Sequence, residues 1–173
     1  MGFTGALLTP NIGLFIMATA PRTTAARTSR TCATSSTGPA SASGASFVTL
    51  ATYEHRPIFQ VSRLAELFIE TLLDYRRSGY YKLHAYLVMP DHVHLLISPE
   101  SLPLDQAVCL IQKGFAHRIG MKETLWQERF VAHSIRSLRD LETVRTYLHQ
   151  TPVRVHLTSI PELYPYSSAH RAS

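Results

Sequence analysis

The segment AYLVMPDHVHLLISP, residues 85–99, is almost wholly apolar and yet contains two histidines one residue apart. Side chains i and i+2 of a β-strand project from the same face. If HVHLLIS is a strand, His92 and His94 share one face, while Val93 and Leu95 share the other. Two neutral imidazoles on one face can bind a divalent ion. The commoner alternative is a pair of partly exposed histidines on a half-buried strand, so a third ligand or a nucleophile is needed elsewhere.

The residues before this segment predict a strand, a helix and a hairpin. SFVTLATY, residues 46–53, has the β-branched and aromatic composition of a strand. Ser62 is a suitable N-cap for a helix that ends near Gly79. YKLHAYLV, residues 81–88, is a second strand, and the tight MPD connection makes HVHLLIS its hairpin partner.

The residues after the segment predict two further helices with a short strand between them. One helix runs from Leu104, although Gly114 weakens it by about 1 kcal/mol relative to Ala. VAHSIR, residues 131–136, is a short strand. Ser137 then caps a third helix, which we expect Pro152 to end because proline disfavours a helical predecessor.

The predicted order is β-α-β-β-α-β-α, and its first six elements match the ferredoxin-like split βαβ plan. We therefore predict an α+β fold with one antiparallel sheet, two helices on one of its faces, and an extra C-terminal helix. The opposite face of the sheet is expected to stay free for a site or a partner.

Residues 1–45 differ in composition from the rest of the chain. They are rich in Ser, Thr, Ala and Gly without any helical or strand period, and such a segment buries too little apolar surface to offset its ordering entropy. We predict a low-complexity, disordered segment over residues 1–45 and one folded domain over residues 46–173. ALLTPNIGLFIMATA resembles the apolar region of a signal peptide, but Pro10 and Asn11 interrupt it and no Lys or Arg precedes it. It is also too short to span a membrane.

The cysteine content and the charge distribution indicate a cellular compartment and a class of partner. The two cysteines, Cys32 and Cys109, lack the spacing of a metal site or a disulfide framework, which favours a reducing cytoplasm. The formal net charge is +5, and residues 106–173 carry nine basic and five acidic side chains. This concentration fits a polyanion-binding face, although a solvated basic surface is equally common.

The third predicted helix ends in YLHQTPV, residues 147–153, and carries a tyrosine at the edge of its apolar stripe. Leu141, Val144 and Leu148 form that stripe, and Tyr147 lies about 100° from Leu148 around the helix. On the helix pattern alone, Tyr147 is most simply an aromatic anchor with its hydroxyl at the rim.

Four motifs in order, VMPDHVHLLI, KGFAHRI, LWQERFVAHSIR and YLHQTPVR, resemble the REP-associated tyrosine transposases. These belong to the single-tyrosine, His-hydrophobic-His transposases of bacterial insertion sequences. FVTLATYEHRPIF resembles the first strand and loop of that family, so the resemblance covers roughly residues 46–168. It implies a DNA transposase and endonuclease that cleaves and rejoins single-stranded DNA at repeat hairpins through a 5′-phosphotyrosine intermediate. The domain over residues 46–173 would then be the catalytic domain.

The resemblance assigns roles to particular residues. His92 and His94 match the metal-binding pair, and Tyr147 matches the nucleophile. The family usually has Asn or Gln one helical turn after the tyrosine, where this chain has Thr151. A Thr hydroxyl is a weaker oxygen ligand for Mg²⁺, so we predict weak metal binding and slow cleavage. The expected cofactor is Mg²⁺ or Mn²⁺, and Mn²⁺ suits the histidine pair better.

The expected partner is single-stranded or hairpin DNA, bound by a monomer or a homodimer. Trp126 could stack on a base or belong to the core. Basic side chains of the C-terminal half are expected to contact phosphates, namely Lys113, Arg118, Lys122, Arg129 and Arg136, with His117 and Arg154 as further candidates.

Three functions remain open on the sequence. The first is an active DNA transesterase, which the intact His92, His94 and Tyr147 favour. The second is a catalytically decayed relative that binds hairpin DNA without cleaving it, which Thr151 favours. The third is a metal-dependent phosphohydrolase with no covalent step.

Overall fold

The computed structural model describes residues 44–121 and 124–170. The segment predicted to be disordered therefore lies almost wholly outside the described residues, and so does Lys122. The predicted order of elements is confirmed, with bounds β1 Ser46–Ala51, α1 Ser62–Arg77, β2 Tyr81–Val88, β3 His92–Pro99, α2 Leu104–Arg118, β4 Val131–Ser134 and α3 Leu138–Arg154.

The four strands form one antiparallel sheet in the order β2-β3-β1-β4. This is the strand order of the split βαβ plan, in which β3 enters between β1 and β2. The predicted α+β, ferredoxin-like fold is therefore confirmed. None of the helices in the described ranges combines the length and apolar composition that a bilayer-crossing helix needs.

Helices α1 and α2 cover one face of the sheet and build the main core with it. Alternate residues of the strands point into this core. Examples are Val48 and Leu50 from β1 and Val93 and Leu95 from β3, all with no exposed surface. Aromatic rings fill the space under the two helices; they belong to Phe59, Phe68, Phe115 and Trp126.

Gly114 lies where α2 meets α1. A Cβ atom at this position would overlap the hydroxyl of Tyr75 and press on its ring. The glycine, which weakens α2 locally, therefore lets the two helices pack closely through the Tyr75 ring.

Two predicted helix boundaries are wrong. The N-cap of α1 is Val61, and Ser62 is already helical, because the carbonyl of Val61 accepts the N–H groups of Leu64 and Ala65. Helix α3 continues through Pro152 to Arg154. Proline removes one backbone donor, but Val155 N–H still reaches the carbonyl of Thr151 at 3.1 Å, so the last turn forms.

The other face of the sheet is not free, in contrast to the prediction. Leu87 and Leu96 project from this face and are fully buried. Helix α3 packs against β2 and β3 there, with Val144 and Leu148 buried beneath it. The face stays open toward β4, where Val131 is 52% exposed. We call this surface, formed by β3, β1 and β4 beside α3, the histidine face, because it carries His92 and His94.

A segment after α3 lies along the outer edge of β2. Val88 N–H donates to the carbonyl of Tyr166 at 2.8 Å, and Ser168 N–H donates to the carbonyl of Tyr86 at 2.9 Å. The Ser168 hydroxyl accepts from Tyr86 N–H at 3.0 Å and lies 2.9 Å from Nε2 of His149 on α3. Ser168 therefore links the sheet edge to α3.

Candidate functional site

The two histidines of β3 share a face, as the two-residue period of a strand predicts. On the neighbouring strand, Ala51 pairs with His92 and Thr49 pairs with His94. The two imidazole ring centres are 4.7 Å apart and the rings meet edge to face. The pair therefore forms one compact group of nitrogen atoms on the histidine face.

His94 is the buried member of the pair, with 2% of its surface exposed. Its ring stacks on Phe47 at 5.3 Å between centres, and its Nδ1 lies 3.0 Å from Oγ1 of Thr49. Burial, reinforced by the neighbouring His92, lowers the pKa of His94 to about 3. The ring is therefore neutral at pH 7, which is the form that binds metals.

His92 is held by a carboxylate from the connection that precedes it. Its Nδ1 lies 2.7 Å from Oδ1 of Asp91, and the other carboxylate oxygen lies 3.1 Å from Nδ1 of His55. Burial on its own would raise the pKa of Asp91, but the hydrogen bonds and charges of His92 and His55 outweigh it and lower that pKa. Asp91 is therefore ionised at neutral pH and accepts from both rings.

The donors on this face fit a divalent ion only in part. Nδ1 of each histidine is engaged by the protein, so Nε2 is the nitrogen that would coordinate. In residues 44–121 and 124–170, no group of three or more His, Cys, Asp or Glu side chains is arranged to hold a metal. An ion bound here would therefore need oxygen atoms from another residue, from water or from a phosphate.

Thr151 lies on α3 one turn after Tyr147 and is 9% exposed. Its hydroxyl donates to the carbonyl of Tyr147 at 2.8 Å. The oxygen keeps lone pairs, but this bond fixes its orientation along the helix. The position is the one expected from the sequence, whereas the donated hydrogen bond was not foreseen.

Tyr147 is half-buried on α3, the helix that packs beside the histidine face. The guanidinium carbon of Arg154 lies 5.0 Å from the centre of the Tyr147 ring. A cation at this distance from an aromatic face is attracted to it and orders both side chains. The arrangement places a positive charge over the face of the tyrosine ring.

Tyr164 is less suited to nucleophilic chemistry than Tyr147. Its hydroxyl donates to the carbonyl of Val88 at 2.9 Å, and it is 9% exposed. Burial, with a smaller effect of Tyr166, raises the pKa of Tyr164 to about 12. A phenol in this state is difficult to deprotonate and already has a partner.

The basic residues predicted to contact DNA are not brought together. Lys113 and Arg118 are on α2, behind the sheet from the histidine pair, and Arg118 forms an ion pair with Asp74 of α1. Arg129 and Arg136 are exposed and flank β4, at the open side of the histidine face.

Trp126 belongs to the core, which is one of the two alternatives considered for it. It is 8% exposed, packs on Phe59, Phe68 and Phe115, and donates from Nε1 to the carbonyl of Gln112 at 3.3 Å. A ring enclosed in this way offers no face to a base.

Sequence reasoning missed the residues that hold the histidine pair. Asp91 had a signal, because it directly precedes His92. His55 and Thr49 had none, because His55 contacts Asp91 across 36 residues of sequence and Thr49 contacts His94 across 45.

This chain is similar to one known protein family and to proteins from two bacteria. A family model described as "Transposase IS200 like" matches residues 45–151. The REP-associated tyrosine transposase of Escherichia coli K12 is 27% identical over 108 residues, which are 61% of this chain and 65% of that protein. A putative REP-associated tyrosine transposase of Haemophilus influenzae is 26% identical over 102 residues, 50% of this chain and 58% of that one. The chain thus spans less than two thirds of either relative.

Among solved structures, a REP-associated tyrosine transposase bound to a REP hairpin matches with a TM-score of 0.63 and 24% identity. The match covers 72% of this chain and 76% of that chain. It supports the fold described above.

Proposed function

This chain belongs to the IS200-like transposase family, and on that premise we propose that it cleaves and rejoins single-stranded DNA at repeat hairpins. The observation that carries the proposal is the meeting of two elements on one face. Strand β3 presents two imidazoles there, and α3, the helix that carries Tyr147, packs on the same side of the sheet against β2 and β3. The hairpin is proposed because the relative of known structure is described as bound to one.

The proposed reaction exchanges one phosphoester bond for another. The Tyr147 oxygen attacks the phosphorus of the scissile linkage, and the bond from that phosphorus to the 3′ oxygen breaks. The phenol proton is lost, and the departing 3′ oxygen gains a proton as a 3′-hydroxyl. The 5′ side stays covalently linked to Tyr147, so a 3′-hydroxyl can later attack that link and rejoin DNA without a nucleotide cofactor.

A divalent ion bound to His92 and His94 would polarise the scissile phosphate and stabilise the departing oxygen. The protein's part is to keep His94 neutral by burial and to orient both rings through their Nδ1 atoms. A free tyrosine has a pKa of about 10, so help with its ionisation is needed at pH 7. Because two nitrogens are offered, we propose Mn²⁺ in preference to Mg²⁺.

We further propose that DNA enters from the β4 side. This is where the histidine face is open and where Arg129 and Arg136 are exposed. Their guanidinium groups can contact phosphates without specifying sequence. Lys113 and Arg118 could reach only a strand that passes behind the sheet.

Binding without cleavage is the second candidate function, and one observation favours it. The Thr151 hydroxyl, at the position where the family usually has an amide, donates to the Tyr147 carbonyl. Because no group of three or more His, Cys, Asp or Glu side chains in the described residues is arranged to hold a metal, an ion at the pair would be held weakly.

One experiment separates the two candidates. Purified protein is incubated with single-stranded hairpin DNA and a series of Mn²⁺ concentrations, and the products are run on a denaturing gel. A protein–DNA adduct that requires Tyr147 supports transesterification. Hairpin binding with no adduct at any Mn²⁺ concentration supports the decayed alternative, and failure to bind single-stranded hairpins contradicts both.

A further inference from the structure

We propose that Asp91 is a positioning residue, which together with His55 fixes the ring of His92 so that Nε2 faces any bound ion. The proposal rests on the proposed function for the ion. Its central element, the orientation and tautomer of His92, is a property of the metal-free protein.

The carboxylate of Asp91 is used on both oxygens. Oδ1 lies 2.7 Å from Nδ1 of His92, and Oδ2 lies 3.1 Å from Nδ1 of His55. An ionised carboxylate can only accept hydrogen bonds, so each ring carries its hydrogen on Nδ1. Nε2 of neutral His92 then carries a lone pair. A carboxylate behind a ligating histidine fixes the tautomer and raises the basicity of the ligand.

The main chain of Asp91 is fixed as firmly as its side chain. Its carbonyl accepts both the N–H of Thr52 at 2.9 Å and the Thr52 hydroxyl at 2.8 Å. Thr52 has no exposed surface. Phe59 N–H binds the carbonyl of Pro90 at 3.0 Å, so the connection before His92 is tied to the segment after β1. The carboxylate therefore has a defined place from which to orient a ring.

His55 is held toward Asp91 by an unusual backbone. Glu54 and His55 both have φ of 53°, in the left-handed region that residues other than glycine rarely adopt. The His55 side chain is 62% exposed, so burial does not explain this conformation. The amide nitrogen of Gln127 lies 3.2 Å from Nε2 of His55. With Nδ1 protonated, that Nε2 accepts from Gln127, and the chain of hydrogen bonds from Gln127 to His92 is consistent throughout.

The two ligands of the pair are therefore supported differently. His94 is enclosed by Phe47 and Thr49 and needs no charge to hold it. The His92 side chain is 25% exposed and contacts a carboxylate. Removing Asp91 should change the tautomer of His92 and leave that of His94, which Thr49 holds, unchanged; a general loss of structure would alter both.

The test compares Asp91→Ala with the wild type in two measurements. The first is the ¹⁵N chemical shift of the imidazole nitrogens in metal-free protein, and the second is Mn²⁺ affinity from the electron paramagnetic resonance of free Mn²⁺. The wild type should show His92 protonated on Nδ1, and the variant should show mixed tautomers. Mn²⁺ affinity should fall about 10- to 100-fold, the usual effect of removing such a partner.

Asp74→Ala is the matched control. Asp74 also has two partners and similar side-chain exposure, 35% against 32% for Asp91, but it lies on α1 and pairs with Arg77 and Arg118. It should change neither measurement. Asp91→Asn keeps an acceptor oxygen and should retain the His92 tautomer with a smaller loss of affinity.

Two results would overturn the proposal. One is a wild-type His92 protonated on Nε2. The other is an Asp91→Ala variant in which both the His92 tautomer and the Mn²⁺ affinity are unchanged. If that variant does not fold, the same result in both Asp91→Asn and His55→Ala, where the replaced histidine is exposed, would overturn the proposal. Neither measurement needs DNA. If the wild type forms no adduct with DNA, the proposed transesterification is contradicted. The role of Asp91 is then still tested by the tautomer of His92.

Discussion

The hydroxyl of Thr151 donates a hydrogen bond to the carbonyl oxygen of Tyr147, 2.8 Å away and one helical turn earlier. The residue at the expected third ligand position is thereby bound to the backbone of the expected nucleophile. Such a bond is a common property of threonine within helices, and it satisfies the hydroxyl of a residue that is 9% exposed. It also sets Thr151 apart from an amide, whose longer side chain would carry its oxygen beyond the helix backbone.

Thr151→Asn is expected to strengthen Mn²⁺ binding and adduct formation, because it supplies a carbonyl oxygen at the turn after Tyr147. A tenfold gain corresponds to about 1.4 kcal/mol. Adduct formation is measured against Mn²⁺ concentration for both proteins, with Thr146→Asn, an exposed position on the same helix, as control. Superimposable curves for Thr151→Asn and the wild type would mean that the site is completed by another residue or by water.

Tyr147→Phe should abolish the covalent adduct and leave hairpin binding within a few-fold, because only the attacking oxygen is removed. The ring and its contact with Arg154 remain. Tyr166→Phe is the matched control, since Tyr166 is also half-buried and should retain the adduct. An undiminished adduct in Tyr147→Phe would transfer the nucleophile to another residue.

The two histidine variants should lose metal-dependent cleavage alike but differ in stability. His94→Ala removes an enclosed ring stacked on Phe47 and should lower the free energy of unfolding by about 2–3 kcal/mol. His92→Ala removes a partly exposed ring and should cost about 1 kcal/mol through its hydrogen bond. Urea unfolding at pH 7 in the presence of a chelator measures both values. Equal losses, or normal cleavage by both variants in chelator, would contradict this account of the pair.

Stability should fall on acidification in the range where unfolded histidine takes up a proton and His94 does not. The folded pKa of His94 is lowered to about 3, so between about pH 6.5 and pH 3 the unfolded state binds more protons. One such group lowers the free energy of unfolding by up to about 1.4 kcal/mol per pH unit.

His94→Gln serves as the comparison, because it cannot titrate. Denaturant unfolding at pH 7, 6 and 5 in chelator should show a steeper decline for the wild type than for this variant. Parallel declines would show that His94 does not contribute to the acid sensitivity. Burial also lowers the pKa values of His84 and His149, and both proteins share that contribution.

Gly114→Ala should destabilise the domain, although alanine favours helix by about 1 kcal/mol. The added methyl group would overlap Tyr75, and crowding of this kind typically costs about 1–3 kcal/mol. The same substitution in a Tyr75→Leu background should be less harmful, because the ring is gone. Thermal unfolding of the four proteins gives the comparison, and a stabilising effect in the wild-type background would exclude the close contact.

Local patterns in the sequence were enough to predict the order of elements and the shared face of the histidine pair. Alternation along HVHLLIS placed His92 with His94, and the spacing of four placed Thr151 one turn after Tyr147. These relationships depend on backbone periods that each short segment carries by itself.

Contacts between distant segments could not be predicted in this way. The hydrogen bond between His55 and Asp91 spans 36 residues, and neither residue lies in a local sequence pattern that would predict it. The position of α3 beside the histidine face depends on which surface of the sheet α1 and α2 leave uncovered. Trp126 was ambiguous for the same reason, since its place is decided by the three phenylalanines that surround it.

Because Tyr166 and Ser168 pair with β2, the segment of chain that folds and unfolds as one unit includes them. The family match stops at residue 151, but backbone groups on the outer edge of β2, at Tyr86 and Val88, bind residues that follow α3. A chain that ended at residue 151 would leave those amide and carbonyl groups as an unprotected strand edge, open to pairing with other chains. Such a chain would also lose the contact between Ser168 and His149. In the whole chain, Ser168 links β2 to α3, so amide hydrogens of β2 and of the last turns of α3 should exchange as one group. The smallest autonomous unit of this fold therefore extends past residue 151, at least as far as Ser168.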